Sequence, residues 1–403
     1  MTCYHPLKCF FVGDNPATGK KKTKVVPFGV QFLYKEFGSV RFHSSYENSC
    51  WNFETCSKDR RLCDPASCPD FRRGDSLVCA KFTDYVPVPC GKCLGCRLDY
   101  ARDWATRMML EDKYSLQSWF ITLTYSPDAE FQYEVDDLGN VKTRDFKFID
   151  SKGFERTRTQ YPNVNDLGIM TLNKEDYRNF NKRLLERFSD RLPDGKSLRF
   201  FLCGEYGEER GRPHYHGIYF NLVLNEDEVY PFFKRGDIQY YRCPIIEDLW
   251  SLGIVTLGKV TFESCSYVAR YCTKKYFDSP ETYSEKHKLP EFTEMSRRPG
   301  LGKEWFDDNF ENLYSTYIIN LSNGKQVSVP KYFYKLLEEK DPERFVQVKE
   351  RQKLLGRNSA LGSISQVDKG YLDYLKDLEY TFKHNPKPKF KAFMSRERIT
   401  YAP

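Results

Sequence analysis

Several features that define other classes of protein are missing from this sequence. No apolar run approaches the ~18 residues that a membrane span requires. The opening MTCYHPLKCF has no basic region followed by an apolar stretch, so no signal peptide is expected. We therefore expect a protein of the cell interior with no membrane partner. In such a compartment cysteines are typically thiols or metal ligands rather than disulfides.

Other absences limit the chemistry. The chain has no G-x-x-x-x-G-K-[ST] phosphate loop, so no ATPase activity is expected, and it has no internal repeat. Histidine is scarce, with 6 in 403 residues. The balance of 63 Lys+Arg against 56 Asp+Glu gives a net charge of +7, which is a weak indication of nucleic-acid binding. Aromatic residues make up 16% of the chain; core packing accounts for most of them, and base stacking can use some.

Cysteine, by contrast, is concentrated near the start, with ten of the 14 before residue 100. In the segment CGKCLGC, Cys90, Cys93 and Cys96 recur every three residues around glycine. This spacing predicts a knuckle in which backbone turns aim three sulfurs at one point. Candidates for a fourth ligand are Cys3, His5 and Cys9, of which we favour Cys3. We expect a structural Zn²⁺ here, and a cluster of buried reduced thiols is the alternative.

The middle of the chain alternates between helical and strand-like patterns. Apolar residues at spacings of three and four predict a helix from Leu98. The run FITLTY, residues 120–125, predicts a core strand that Pro127 ends. Asn173 is placed to cap a further helix. The other predicted elements are strands within 25–40, a surface hairpin within 126–168, a helix over 245–252, a strand over 253–261, a helix beginning at Ser264 or Ser266, and charged helices over 329–340 and 341–355.

Residues 198–220 predict a β-hairpin, because two apolar runs flank a polar, Gly- and Pro-rich centre at 207–212. Side chains alternate along a strand, so His214 and His216 point to the same face. In this register Glu205 lies opposite His214 and faces the same way. Two imidazoles and a carboxylate on one surface suit a divalent cation that keeps open positions for a substrate.

The H-x-H pair alone is compatible with several kinds of site. A histidine-triad hydrolase needs a third alternating histidine, but position 218 is Ile. Cys203 lies opposite His216 in the predicted register, so a structural zinc on this hairpin is an alternative. Because the register is inferred, Glu208 and Glu209 are fallback carboxylates for Glu205.

A second group of candidate residues follows in SYVARYCTKK. Tyr267 and Tyr271 are four residues apart and share one face of a predicted helix. Lys274 and Lys275 place positive charge at its C-terminal end, where it is favourable. A tyrosine hydroxyl is a poor nucleophile at its usual pKa of about 10, so a metal ion and these lysines would have to assist it. A stripe facing the core is the alternative for the two tyrosines.

The order of these features, FITLTY, then E…HYH on a strand, then Y-x-x-x-Y followed by lysine, resembles the HUH endonuclease superfamily of rolling-circle replication initiators. The sequence is more similar still to the initiators of small single-stranded DNA bacteriophages, the microviruses and especially the gokushoviruses. The blocks that carry this similarity are CYHPLK, CGKCLGCR, GEYG…GRPHYHG, YVARYCTKK and MSRRPGLG. They span roughly residues 1–303.

The resemblance implies an α+β fold with a central antiparallel sheet of the ferredoxin-like or palm-like HUH type. We divide the chain into a Cys-rich segment over 1–97, an HUH endonuclease domain over 98–280 and a helical, basic extension over 281–403. The resemblance also implies that Mg²⁺ or Mn²⁺ binds His214 and His216, with Glu205 as third ligand. It gives the nucleophile role to Tyr267 and Tyr271.

The implied function is to nick one strand at the viral origin through a 5′-phosphotyrosine, to prime rolling-circle replication from the 3′-OH, and to rejoin the displaced strand. The expected partners are single-stranded origin DNA, held covalently, and a host helicase and polymerase in the bacterial cytoplasm. The alternatives are an HUH relaxase or transposase, and a non-enzymatic zinc-dependent DNA-binding protein.

Overall fold

The largest element of the fold is a seven-stranded antiparallel sheet. The computed structural model describes residues 3–14, 16, 21–35, 43–46, 80–83, 85–207, 211–274, 288–321, 324–365 and 371–384. Helices pack on the sheet, so the expected α+β class with a large antiparallel sheet is confirmed.

The described strands are β1 (Leu7–Asp14), β2 (Lys21–Pro27), β3 (Val30–Lys35), β4 (His43–Tyr46), β5 (Ala80–Phe82), β6 (Tyr85–Val88), β7 (Ser118–Tyr125), β8 (Arg144–Ile149), β9 (Glu155–Gln160), β10 (Arg199–Tyr206), β11 (Pro213–Phe220), β12 (Tyr230–Arg235), β13 (Ile238–Arg242), β14 (Gly253–Lys259), β15 (Phe292–Met295), β16 (Ile318–Asn320) and β17 (Gln326–Ser328). The helices are α1 (Leu94–Asp112), α2 (Lys174–Phe188), α3 (Pro244–Trp250), α4 (Phe262–Lys274), α5 (Lys303–Thr316), α6 (Lys331–Lys340), α7 (Pro342–Ser365) and α8 (Tyr371–His384).

The chain divides into two compact units. One comprises residues 1–96 and 361–385, and the other comprises 97–360 and 386–403. The first contains two small sheets, with strand orders β2–β1–β6 and β4–β3–β5. The second contains the large sheet, with strand order β12–β13–β14–β7–β11–β10–β15. The three sequence segments proposed above remain a prediction.

Both faces of the large sheet are covered around β11, and each face has its own core. On one face, α2 and α3 pack Phe180 and Trp250 against Tyr215 of β11. On the other face, residues of α1, α4, α5 and α6 pack against Ile218 and Phe220 of the same strand. Because successive side chains of a strand point to opposite faces, every residue of β11 is buried. The histidines of β11 therefore lie inside the protein rather than on an open surface.

Helix capping agrees with the sequence at one helix and differs at another. The side chain of Asn173 accepts hydrogen bonds from the backbone N–H groups of Glu175 and Asp176, as expected for a cap of α2. The prediction that Ser264 or Ser266 begins the next helix is wrong, because α4 begins at Phe262. Its cap is Thr261, whose hydroxyl accepts from the N–H of Ser264 while the Ser264 hydroxyl accepts from the N–H of Thr261.

Some elements are longer than predicted or were missed. Helix α1 begins at Leu94 rather than Leu98 and so includes Cys96 of the knuckle. The hairpin of β12 and β13, the edge strand β15 and helix α5 were not predicted. In the part of the chain that the structure describes, no helix has the length and apolar character needed to span a bilayer.

Candidate functional site

The predicted hairpin is formed by β10 and β11, in the predicted register. Glu205 pairs with His214, and Cys203 pairs with His216. Both histidines and the glutamate are buried, with 8%, 2% and 4% of their surfaces exposed. Paired residues of antiparallel strands face the same side of a sheet, so the two imidazoles and the carboxylate share one face.

Two threonines of β7 hold the histidine rings, and sequence analysis did not identify them. Thr122 pairs with His216 and Thr124 with His214 across the β7–β11 ladder. The Oγ1 atoms of Thr122 and Thr124 lie 2.9 and 3.1 Å from the Nδ1 atoms of His216 and His214. With Nδ1 engaged in this way, Nε2 is the nitrogen that each ring presents to a ligand. The alternation T-L-T in the FITLTY strand was the signal that could have indicated them.

Glu205 links the histidine pair to the tyrosine helix. Its Oε1 atom lies 2.7 Å from Nε2 of His216 and accepts a hydrogen bond of 3.0 Å from the hydroxyl of Tyr267. The Tyr267 ring meets the His216 ring edge-on, with centroids 5.2 Å apart and planes at 87°. Phe120 lies parallel to the imidazole of His216, with centroids 5.8 Å apart. The structure thus brings Tyr267, His216 and Glu205 together.

The other predicted residues of the tyrosine helix are described less fully. Tyr271 lies one turn beyond Tyr267 in α4, and Lys274 ends that helix, but the side chains of both are outside the described residues. Lys275 is outside the described residues altogether, and so are the fallback carboxylates Glu208 and Glu209. Of the predicted nucleophiles, it is Tyr267 whose hydroxyl is placed next to the histidine pair.

The electrostatics of the site favour a neutral imidazole at His214. Burial lowers the pKa of His214 to about 4, and the neighbouring His216 and Arg212 lower it further while Glu205 opposes the shift. At neutral pH this ring therefore carries a lone pair on one nitrogen. A neutral imidazole is the form in which histidine binds metal ions.

The residues of the hairpin fit a divalent cation. Adjacent ligands of an octahedral ion with bonds of about 2.1 Å lie about 3 Å apart, and the His216 Nε2 and Glu205 Oε1 atoms are separated by 2.7 Å. A Cβ at position 207 would come within 3.0 Å of Nε2 of His214, so Gly207 keeps that edge of the ring open. The three donor atoms are not yet as close as in a formed site, because Glu205 contacts His216 and Tyr267.

A second candidate metal centre lies in the Cys-rich unit. Among the described residues, one group of His, Cys, Asp or Glu has all its donor atoms within 4.8 Å of one another, and it consists of Cys3, Cys90, Cys93 and Cys96. The Sγ atoms of Cys90 and Cys96 are 3.9 Å apart, and those of Cys93 and Cys3 are 3.8 Å apart. Four sulfurs at about 2.3 Å from a tetrahedral ion are separated by about 3.8 Å. The predicted cluster therefore exists and can hold a metal ion.

Backbone N–H groups donate to three of these sulfurs. The N–H of Cys90 donates to Sγ of Cys3 at 3.2 Å, and that of Cys93 donates to Sγ of Cys90 at 3.3 Å. The N–H of Tyr4 donates to Sγ of Cys93 at 3.4 Å. Burial raises the pKa of the Cys3 thiol to about 11. Burial acts in the same sense on Cys93, but backbone hydrogen bonds from Cys96 and Tyr4 outweigh it and lower its pKa to about 7.

Comparison with known proteins identifies the class. A family model for replication-associated proteins of the ORF2 type matches residues 118–276, which include β7, the hairpin and α4. The chain is 31% identical over 296 residues to replication-associated protein ORF2 of Spiroplasma virus 4, covering 72% of this chain and 80% of that protein. The chain belongs to this family of replication-associated proteins, and the predicted resemblance to microvirus replication proteins is confirmed.

Two further relatives come from other bacteriophages. The chain is 29% identical over 272 residues to replication-associated protein VP4 of Bdellovibrio phage phiMH2K, covering 68% of this chain and 74% of that protein. It is 28% identical over 260 residues to replication-associated protein ORF4 of Chlamydia phage 1, covering 62% of this chain and 53% of that protein. No solved structure matches the chain.

Proposed function

We propose that this protein is a replication initiator that nicks one DNA strand at a viral origin through Tyr267. The observation that carries the proposal is the contact of the Tyr267 hydroxyl with Glu205, whose same oxygen lies 2.7 Å from His216. A potential nucleophile, a proton acceptor and a histidine pair thus share one site. The family of replication-associated proteins supports the biological role.

In the proposed reaction, the phenolic oxygen of Tyr267 bonds to the phosphorus of the scissile phosphodiester, and the bond from phosphorus to the 3′ oxygen breaks. The phenol proton passes to Glu205, its hydrogen-bond partner, and is returned to the leaving 3′ oxygen. The products are a 5′-phosphotyrosine and a free 3′-OH that primes synthesis. Because the ester conserves the energy of the broken bond, attack by a 3′-OH rejoins the strand without ATP.

His214, His216 and Glu205 are the residues that would hold Mg²⁺ or Mn²⁺ at this site. Such an ion, when bound, supplies positive charge that polarises a non-bridging oxygen of the scissile phosphate. Thr122 and Thr124 orient the two imidazoles by their bonds to Nδ1. Burial of the whole group excludes water from the carboxylate and strengthens its interactions.

Tyr271 is proposed as the second nucleophile of a continuing cycle. One tyrosine holds the 5′ end from initiation, while the other cuts the regenerated origin, and the released 3′-OH then closes the displaced strand into a circle. Lys274 and Lys275 are proposed to neutralise negative charge of the phosphate and the departing phenol. The helix α4 supports this assignment, because residues four apart lie on one face.

We also propose that the large sheet is of the HUH endonuclease type. Support comes from the histidine strand β11 lying between β7 and β10, with the tyrosine helix α4 packed on the same face as the histidines. The partners proposed with this fold are single-stranded origin DNA and a host helicase and polymerase, in the host cytoplasm. At the four-cysteine cluster, the tetrahedral spacing and all-sulfur ligands favour a structural Zn²⁺.

Covalent trapping tests the nickase. The full chain is incubated with single-stranded origin DNA and Mn²⁺, and adducts are resolved on a denaturing gel. Wild type is expected to give an adduct, Tyr267→Phe to lose most of it, and Tyr267→Phe/Tyr271→Phe to lose all of it. Tyr133→Phe, which alters an exposed tyrosine elsewhere in the chain, is the matched control. No adduct with wild type, or an adduct with the double variant, would refute the proposal.

A further inference from the structure

A row of aromatic rings crosses the sheet next to the candidate site. Phe120 on β7 is followed by Tyr240 on β13 and Phe233 on β12. A Cβ at Gly258, on the intervening strand β14, would lie 3.5 Å from Phe120 and 3.9 Å from Tyr240, so these rings share one face. The rings of Tyr240 and Phe233 are stacked, with centroids 4.7 Å apart and planes at 13°.

The inner end of the row is part of the candidate site. Phe120 lies parallel to the imidazole of His216, and its ring also meets that of Tyr267 edge-on, with centroids 6.4 Å apart. The outer end is Phe232, whose ring centroid is 5.1 Å from that of Phe233. The row therefore leads from the proposed nucleophile to the edge of the sheet.

The outer rings are exposed. Phe232 and Phe233 have 48% and 36% of their surfaces open to solvent, and every residue of β12 is exposed. A register shift between Pro231 and Lys234 places both phenylalanines opposite the single residue Tyr240, as in a β-bulge. A contiguous exposed aromatic patch is unusual on a protein surface and typically marks a binding site.

The edge of the sheet favours nucleic acid over another protein strand as the partner. Strand β12 is an edge strand, and its Pro231, its bulge and its two cations Lys234 and Arg235 are features that discourage pairing with a further strand. Both cations are exposed, and neither forms an ion pair with any residue that the structure describes. Positive charge beside exposed rings complements a strand of phosphates and bases.

We propose that Phe120, Tyr240, Phe233 and Phe232 form a stacking platform for single-stranded DNA beside the scissile phosphate, with phosphates held near Lys234 and Arg235. The choice of DNA rests on the proposed function. From β7 to β12 there are three strand spacings, or about 14 Å, which is room for a few bases. Since every base has a ring face, this platform binds DNA without regard to sequence.

The test separates binding from cleavage. The full chain carrying Tyr267→Phe/Tyr271→Phe is titrated in EDTA into a labelled twelve-nucleotide oligo-dT, and fluorescence anisotropy gives the Kd. Adding Phe232→Ala/Phe233→Ala is expected to raise the Kd about ten- to a hundredfold. A duplex of the same length is expected to respond less, because its bases are stacked inside the helix.

Matched substitutions at one position isolate the ring face. Phe233→Trp keeps an aromatic surface and is expected to bind oligo-dT as the parent does. Phe233→Leu keeps apolar bulk without a ring and is expected to bind as weakly as Phe233→Ala. Tyr133→Ala, at an exposed aromatic elsewhere, is expected to leave the Kd unchanged.

Two results would overturn the platform. One is an oligo-dT Kd that the double alanine substitution leaves unaltered. The other is a double alanine variant that loses self-association in sedimentation velocity but keeps its affinity for oligo-dT, which would make this face a contact between copies of the chain. Loss of oligo-dT binding in a protein that never forms the tyrosine adduct would refute the nickase and leave the platform standing.

Discussion

At the scale of single residues, the histidine pair depends on hydroxyls from a neighbouring strand. In the structure, Nε2 of His216 lies beside the Glu205 carboxylate, which can only accept, so Nε2 is the donor. If Nε2 binds a cation instead, the remaining hydrogen of the neutral ring resides on Nδ1. A threonine hydroxyl both donates and accepts, so Thr122 can keep its 2.9 Å contact in either state.

The first prediction concerns this hydroxyl. Thr122→Val replaces the hydroxyl with a methyl group of similar size and leaves Nδ1 of His216 without its partner. We expect Mn²⁺ affinity to fall about ten- to a hundredfold, as is usual when a group orienting a metal ligand is removed. The affinity is measured directly, by the electron paramagnetic resonance signal of free Mn²⁺ in a titration without DNA.

Thr122→Ser is the matched control, because it keeps the hydroxyl and loses a methyl group. Its Mn²⁺ affinity is expected to remain within a few-fold of wild type. If Thr122→Val and Thr122→Ser bind Mn²⁺ equally well, the hydroxyl does not orient the ring, and the threonine serves packing alone.

At the scale of elements, the sequence was most informative where its pattern is local. The hairpin register followed from strand alternation and from the Gly- and Pro-rich loop, and the cap of α2 followed from Asn173. The role of Thr122 could not be predicted, because its partner His216 lies 94 residues away in the chain. The strand β12 was missed because both of its faces are exposed, so its apolar residues do not alternate with polar ones.

Helix α4 carries the proposed nucleophile, so its first turn bears on the site. Thr261→Ala removes the hydroxyl that accepts from the N–H of Ser264. The loss of such a cap costs about 1 kcal/mol, which corresponds to about fivefold faster amide exchange at the start of the helix. Hydrogen exchange read by mass spectrometry is expected to show this in peptides covering 262–274 and not in β11.

Thr261→Ser keeps the capping hydroxyl and is expected to exchange as wild type does. Equal exchange in Thr261→Ala and Thr261→Ser would mean that packing of Cys265, Val268 and Ala269 against the sheet fixes the helix without its cap.

At the scale of the whole molecule, the two compact units differ in what stabilises them. The unit with the large sheet has two extensive apolar cores. The described core of the other unit consists of small clusters, one of them made largely of cysteines. Small cores usually need a metal or disulfides for stability. The stability of the Cys-rich unit should therefore depend on its metal.

We expect one Zn²⁺ per chain after purification and its loss in Cys93→Ser. Because binding free energy at such a site is folding free energy, the variant should expose residues 1–96 to limited proteolysis while fragments from 97–360 persist. Native mass spectrometry gives the zinc content. Cys9→Ser, in the same unit but outside the four-cysteine group, is the control and should retain the ion. Equal zinc content in both variants would contradict the assignment.

The position of Tyr267 on α4 has a geometric consequence for a two-tyrosine cycle. Four residues of helix advance by about 6 Å, so Tyr271 lies that far along the axis from the hydroxyl that contacts Glu205. For both tyrosines to attack at one histidine pair, the helix must slide by a full turn or the DNA must move by a comparable distance. Each round of replication would therefore include a step of translation, and the two cuts would differ in how far the strand has advanced through the site.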